Sequence, residues 1–340
     1  MARTYHEKIK HIMTPSTAVI EATKPTLKCS GRVQAMLECV RCYASLKVGE
    51  SRCDCSQCDA SYPVCDGIPV LIDNSTSLFQ TNDFTERKAT FFRPRSRVKR
   101  LVLGSLPEIS HNIRAKANYR KFAELILGRN KRPIVLVVGG SIPGKGMKEI
   151  LACGDIEFVE TDVSFGPRTS LICDAHQLPF NSESFDGVLV QAVLEHVLDP
   201  PRCVEEIYRV LNARGLVYAE TPFMQQVHGR EYDFTRFTHL GHRRLFRKFE
   251  EICSGAACGP GMALAWSYTY FLLSFASSRI ARAIVIGFAR LTAFWVKYFD
   301  FLLIDQPAAL DSASGYYFIG RKSDKCLTDQ ELIRLYRGAF

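Results

Sequence analysis

Cys173-Asp174-Ala175-His176-Gln177-Leu178-Pro179-Phe180, followed by Ser184-Phe185-Asp186-Gly187-Val188-Leu189-Val190-Gln191-Ala192-Val193-Leu194-Glu195-His196-Val197, decides the fold. Cys173-Asp174-Ala175 closes one short β-rich run, and Phe185 to Val190 forms another, without the polar alternation of a half-exposed strand. Runs of that kind are buried on both faces, as in a parallel sheet covered by helices. Downstream, Glu206-Ile207-Tyr208-Arg209-Val210-Leu211 has helical spacing, and Gly215-Leu216-Val217-Tyr218-Ala219-Glu220-Thr221-Pro222 is a further strand. Upstream stand two more strands, Ile134–Val138 and Glu157–Asp162. From Lys131 onward, short strands alternate with helical patterns, which predicts an α/β domain with a parallel sheet and crossover helices.

The first of these strands ends directly in Gly139-Gly140-Ser141, and Gly144 and Gly146 follow before a helical pattern. Strand, glycine turn and helix bring the backbone close to a nucleotide-like ligand. Gly139 to Lys145 fits G-x-x-x-x-G-K, but Gly146 stands where a phosphate loop needs Ser or Thr to hold magnesium. The G-x-G-x-x-G spacing of a dinucleotide site is absent. Some twenty residues beyond the glycines, Glu157–Asp162 ends in acids, where a carboxylate can accept hydrogen bonds from both hydroxyls of a ribose. Asp162 is the first candidate for that role and Glu160 the second.

Read in order, D-A-x-x-L-P-F, S-F-D, L-E-H-V, E-x-x-R-V-L and the closing T-P resemble the class I methyltransferases that use S-adenosylmethionine (SAM), in the broad family that includes ubiquinone-biosynthesis enzymes. The resemblance spans roughly residues 134–222. It implies a Rossmann-like sheet in which Gly139 and Gly140 pass the methionine part of SAM and Asp162 holds the ribose. By the same resemblance Asp174 meets the adenine amine with Ala175 beside it, and Gln191 closes the pocket. The chain departs from the family at Val137, where an acid is common, in the longer loop Ser141-Ile142-Pro143-Gly144-Lys145-Gly146-Met147, and at Arg214.

Thirteen cysteines with no secretory pattern read as reduced thiols and metal ligands. Cys39-x-x-Cys42 and Cys55-x-x-Cys58 form two knuckles, each able to point two thiolates at one tetrahedral ion. The expectation is a closed structural zinc site with no place for a catalytic water, Cys53 being the nearest substitute ligand. Tyr62-Pro63-Val64 and Asp66-Gly67-Ile68-Pro69-Val70-Leu71 add a resemblance to the zinc-ribbon family typified by the small activator subunit of tRNA and translation-factor methyltransferases. That implies a stabilising or docking module without chemistry of its own, so Cys39→Ser is expected to unfold the ribbon and leave cofactor affinity intact.

The chain of 340 residues thus divides into a leader (1–28), a zinc ribbon (29–76), a basic helical connector (77–130), a methyltransferase domain (131–325) with an apolar helical insert (about 256–308), and a tail (326–340). The formal charge of +9 is local, because Arg87 to Arg132 holds 14 Lys or Arg against two acids. Such a patch attracts phosphates or is simply a solvated helix face. The polar leader carries no signal-peptide pattern, which predicts a cytoplasmic protein.

After Pro222, His228, Tyr232, Asp233 and Arg236 cluster where an open α/β sheet binds ligands. The pattern P-F-x4-H-x4-D-x-x-R-x-T resembles methyltransferases of polysaccharide or other cell-envelope biosynthesis, with His228 or Asp233 as base or acceptor anchor. A structural Asp233–Arg236 ion pair is the competing reading. Met262 to Ser278 is uncharged and short for a membrane span. Read as one helix, 279–304 gathers Arg279, Arg282, Arg290, Lys297 and Asp300 on an arc of about 80°. This suits a helix lying in the membrane surface or a lid over a greasy acceptor. The expected activity is SAM-dependent methylation of a small-molecule, glycan or lipid-linked acceptor. An rRNA or tRNA methyltransferase, using 87–132 for nucleic acid, and a non-catalytic binding subunit are the alternatives.

Overall fold

A computed structural model describes residues 26–91 and 104–339. Most of the expected leader, and the densest part of the basic stretch, lie outside the described residues. Eleven strands form one sheet: β1 (Leu46–Val48), β2 (Arg52–Cys55), β3 (Ser61–Cys65), β4 (Ile68–Leu71), β5 (Ile134–Val138), β6 (Glu157–Asp162), β7 (Leu171–Cys173), β8 (Phe185–Gln191), β9 (Leu211–Pro222), β10 (Phe249–Cys258) and β11 (Gly315–Lys322). Their order is β1-β2-β3-β4-β7-β6-β5-β8-β9-β11-β10. The five strands from β7 to β9 are parallel, as their apolar runs require, while β11 enters antiparallel beside β9 and pairs with β10.

Helices cover both faces. In α1 (Ala115–Leu127) the buried residues Ala115, Asn118, Tyr119, Phe122, Ala123 and Ile126 recur at helical spacing. They pack on Val135, Val137, Leu189 and Tyr218 of the sheet. On the other face α2 (Pro200–Val210) begins at Asp199, whose side chain accepts from the Arg202 N–H, with prolines in its first turn. Its residues Cys203, Val204, Ile207 and Val210 pack with Leu136, Val138, Val188 and Val190.

Three boundaries differ from the sequence reading. The ribbon is not a separate body: β4 pairs in parallel with β7, Val70 opposite Ile172 and Leu71 opposite Cys173. Leu37, Cys39 and Tyr62 share one core with Leu171 and Phe180. Among the described residues of the expected connector, the longer helix is α1, which packs on the main sheet, and a short helix spans Thr81–Thr85. The expected insert starts inside the sheet, since β10 runs to Cys258; the helices that follow are α4 (Pro260–Leu273) and α5 (Arg279–Ala293).

The expected single helix over 279–304 also breaks after Ala293 into a 3-10 turn and a short helix. The break turns the C-terminal part of the polar arc inward. Lys297 is buried and donates to the Glu108 carbonyl, and Asp300, fully buried, accepts from the Gly261 and Met262 N–H groups at 2.6 and 3.0 Å. Arg279 and Arg282 stay exposed, and beside them the outward surface is largely apolar: Phe275 is 77% exposed, Ile280 75% and Ile284 67%.

Between β9 and β10, α3 (His239–Leu245) buries His242 against Phe246 and Phe318. Its Nε2 has no hydrogen-bond partner. Burial, helped by the nearby His239 and Arg243, pulls the His242 pKa down to about 3. The folded state therefore resists a proton that the unfolded chain takes up near pH 6.5, so this contribution is complete above pH 6.5 and is lost as pH falls toward 3. His239 is held down to about 4 as well, so between pH 7 and pH 4.5 chemical denaturation should show a wild-type loss that exceeds that of His242→Phe by about 2–3 kcal/mol; an equal loss in the variant would count against it.

Candidate functional site

The C-terminal ends of the parallel strands open onto two adjoining clefts. The first, of about 770 Å³, is lined by Gly139, Thr161, Asp162, Asp174, Ala175 and His176 from the sheet, and by Leu78, Phe79, Phe91 and Tyr232 from elsewhere. The second, of about 1500 Å³, is lined among others by Asn112, Gly144, Gln191, Glu195, Glu220, His228 and Met262. Phe91, Val138, Gly139, Ala192 and His196 border both. A bound molecule in one cleft therefore meets a molecule in the other along that wall.

Gly139 ends β5 with φ +75°, and a Cβ there would lie 2.4 Å from Val193 Cγ2, so the turn admits only glycine. Its N–H and that of Gly140 both donate to the Thr161 carbonyl at 2.9 Å. Gly140 lines neither cleft and packs on Glu160, contrary to its expected ligand contact. The two acids of β6 separate cleanly. Glu160, 3% exposed, is ion-paired to Arg168 and lines neither cleft, whereas Asp162 lines the first and accepts from the Ser141 N–H at 3.0 Å. Burial raises the Asp162 pKa, offset in part by backbone N–H groups of Ser141, Val163 and Ser164.

At the end of β7, Asp174 accepts from the Ser77 hydroxyl (2.6 Å), the His176 N–H (3.0 Å) and His176 Nδ1 (2.6 Å). Burial works to raise its pKa, but these bonds outweigh it and hold the carboxyl below the usual range. His176 Nε2 in turn accepts from the Asp199 N–H at 3.1 Å, which fixes the neutral tautomer. Ala175 lines this cleft, as expected.

Gln191 stands elsewhere than expected. It lines the second cleft, accepts from the Tyr119 hydroxyl, and donates to the Lys145 carbonyl and to Glu220 Oε2. It thus braces the glycine loop rather than closing the first cleft. Glu220 is also held by Tyr218 and Asn112, and burial raises its pKa. Lys145, the lysine of the phosphate-loop-like pattern, is ion-paired to Glu108 at 2.7 Å.

Of the two acceptor-side candidates, only His228 lines one of these two clefts; Asp233 borders a separate surface hollow with Gln226, Arg236 and Ser267. Asp233 is consumed by structure: it is bound to Arg236, and its Oδ2 accepts from the His228 and Gly229 N–H groups at 2.7 and 2.9 Å. Burial would raise its pKa, yet these partners hold the carboxyl well below the usual range. The competing ion-pair reading fits, and Asp233 shapes the loop that presents His228. Burial tends to lower the His228 pKa, but the Glu195 carboxylate raises it further.

The four ribbon sulfurs converge within 4.8 Å of one another. Cys39 Sγ lies 3.7 Å from Cys58 Sγ, and Cys42 Sγ 3.3 Å from Cys55 Sγ. Sulfurs about 2.3 Å from a tetrahedral zinc stand roughly 3.8 Å apart, so the set fits that ion. The Arg41 and Gln57 N–H groups point at Cys39 and Cys55 at 3.4 Å, which suits thiolates. Cys53 is outside the cluster, in the ribbon core, where burial pushes its thiol up to about 12.

Several lining residues escape sequence reasoning. Beyond the ribbon, Leu78, Phe79 and Phe91 wall the first cleft, Ser77 donates to Asp174 beneath it, and Phe79 stacks on Tyr232 at 5.8 Å. Glu195 and His196 sit in an irregular turn rather than on a helix.

Residues 151–219 match a family model described as a methyltransferase domain. With the mixed sheet typical of Rossmann-like class I methyltransferases, the chain is a methyltransferase. No curated protein matches its sequence. Among solved structures, a phosphoethanolamine N-methyltransferase 2 of Haemonchus contortus in complex with SAM is 14% identical, with 61% of this chain and 53% of that chain covered and a TM-score of 0.41. A 1,6-didemethyltoxoflavin-N1-methyltransferase of Burkholderia thailandensis is 14% identical over 72% of this chain and 87% of that chain, TM-score 0.37. The [4+2]-cyclase SpnF is 17% identical over 66% and 91%, TM-score 0.37.

Proposed function

We propose that this chain transfers a methyl group from SAM, bound in the first cleft, to a small-molecule, glycan or lipid-linked acceptor in the second. The carrying observation is the pair of carboxylates on adjacent strand ends, Asp162 and Asp174, facing a cleft whose glycine turn admits no side chain. Asp162 accepts hydrogen bonds from the ribose hydroxyls. Asp174, held ionised by His176 and Ser77, accepts from the adenine amine, with Phe79, Ala175 and Leu198 supplying apolar walls. SAM supplies a methyl on a sulfonium, which an aligned nucleophile displaces in line. The chain's part is alignment: Gly139 lets the cofactor's backbone side approach, and Ala192, at φ +53°, turns the strand end away between the clefts. His228 faces the acceptor, and the ribbon holds zinc as a structural element through Cys39, Cys42, Cys55 and Cys58.

Transfer of radiolabelled methyl from SAM to fractionated cell extract tests the reading. Label in a lipid, glycan or small-molecule fraction supports it, whereas label confined to RNA, or none at all, overturns it.

We place the acceptor's lipid or a membrane surface against the outward apolar face of α4 and α5. Among the described residues no helix is long and apolar enough to cross a membrane, so contact would be peripheral. Phe271, Phe275, Ile280, Ile284 and Phe288 all expose more than half their surface, an area that monomeric proteins seldom leave to water. The protein should co-sediment with phosphatidylglycerol-containing vesicles, and Phe275→Asp with Ile284→Asp should reduce the bound fraction at least ~10-fold. Equal sedimentation of both would rule the surface out.

A further inference from the structure

Glu195, His196 and His228 stand where the two clefts meet, and each offers one ligand atom within 4.8 Å of the others. Glu195 is fully buried, and among the described residues neither of its carboxylate oxygens has a hydrogen-bond partner. An ionised carboxylate stripped of water and left without donors is costly, so something positive belongs beside it. The two imidazoles are arranged to receive the same thing. His196 Nδ1 lies 2.8 Å from the Tyr232 carbonyl, and His228 Nδ1 lies 3.3 Å from the Gln226 carbonyl. A carbonyl can only accept, so both Nδ1 atoms carry hydrogen, and in the neutral rings both Nε2 atoms present lone pairs. Those two Nε2 atoms lie 3.6 and 3.5 Å from the same oxygen, Glu195 Oε1. With both rings neutral, three lone pairs converge on one point.

The surroundings keep this geometry rigid. The ring of His196 packs against that of His228 at 4.9 Å and against Phe91 at 5.0 Å. Gly229 closes over His196, where a Cβ would come within 2.5 Å of the ring. Asp233 anchors the backbone of His228. Imidazoles oriented by Nδ1–H bonds to carbonyls are the usual outer support of metal ligands.

We propose that Glu195 Oε1, His196 Nε2 and His228 Nε2 bind one divalent transition-metal cation of the Zn2+, Co2+ or Mn2+ class. Two imidazole nitrogens and a carboxylate suit these ions and leave coordination positions open. All three ligands line the larger cleft, so the open positions face the acceptor. The ion selects acceptors that present an oxygen beside the wall shared with the first cleft. This last step rests on the methyltransferase reading; the ion site does not.

Cobalt titration separates the possibilities. Co2+ added to protein already loaded with one equivalent of zinc should bind with one-to-one stoichiometry and give weak visible d–d bands. The intense near-ultraviolet band of cobalt on thiolates should be absent, since the ribbon sulfurs are occupied. Glu195→Gln and His228→Asn should each weaken Co2+ binding by about 100-fold or more, beyond the effect of losing an outer support. Both variants should keep the wild-type heat of SAM binding, which shows that they fold. No cobalt binding by the wild type, or binding unchanged in both variants, would overturn the site in favour of an imidazolium–carboxylate pair. Cobalt binding without any SAM heat in the wild type would instead defeat the methyltransferase reading and leave the ion site standing.

Discussion

Asp162→Ala should lower SAM affinity by about 100-fold or more in isothermal titration, the largest effect expected from any single residue of the cofactor cleft. The argument starts from what Asp162 does without a ligand. It is 7% exposed, has no basic partner among its described ion pairs, and spends one oxygen on the Ser141 N–H. Burial raises its pKa, and a diol that donates two hydrogen bonds to the carboxylate offsets that cost. Hydrogen bonds to a charged group contribute about 1.5–3 kcal/mol each, so two of them account for a factor of 100 or more. The neighbouring acid is the control. Glu160 is committed to Arg168 and lines no cleft, so Glu160→Gln should lower the melting temperature while leaving SAM affinity within about threefold. Reversal of that order, with Glu160→Gln losing the cofactor and Asp162→Ala keeping it, would mean that the strand-end acid has been assigned one turn of the pleat away from the true one.

The strand-end position of Asp162 was legible in the sequence because it depends only on local signals. Apolar runs, glycine turns and acids at strand ends mark β5 to β9 and place Asp162 and Asp174 on the ligand-binding edge before any tertiary contact is known. The ribbon's cysteines are equally local, two knuckles with fixed spacing. What escaped depends on contacts between distant parts of the chain. Nothing in Ile68-Pro69-Val70-Leu71 says that it pairs with a strand a hundred residues later, yet β4 does so. Ser77, Phe79 and Phe91 looked like connector because their role exists only once β4 has carried the chain to the cofactor cleft. The arc of charges from Arg279 to Asp300 failed for another reason: a helical wheel assumes one unbroken helix, and the turn after Ala293 rotates Lys297 and Asp300 inward. Glu195 and His196 read as part of a family motif, and only the fold of the turn shows them facing His228. The adjacent Glu-His with a histidine beyond the next strand was the one available signal.

The shared strand changes what should follow from breaking the ribbon. A detachable module would lose its zinc and leave the cofactor cleft untouched; this ribbon cannot. Cys39 is fully buried, in the same core as Leu71, Leu171, Cys173 and Phe180. Its loss removes one of four thiolates from the proposed zinc site, where metal binding would contribute of order 10 kcal/mol to a domain of this size, so the hairpins should unfold. With them goes the pairing of β4 to β7, and with that the exit segment that brings Ser77 to within 2.6 Å of Asp174. Asp174 would then keep His176 but lose a donor that helps hold it ionised, and Phe79 and Phe91 would no longer wall the cleft. Cys39→Ser should therefore lose zinc by elemental analysis, lower the melting temperature by ten degrees or so, and weaken SAM binding about tenfold or more. Ser77→Ala divides the effect. It removes only the hydroxyl, so zinc content should be unchanged while SAM affinity falls a few-fold. A Cys39→Ser protein that has lost its zinc and yet binds SAM as tightly as the wild type would show that the β4–β7 pairing contributes nothing to the cleft, and that the ribbon is detachable after all.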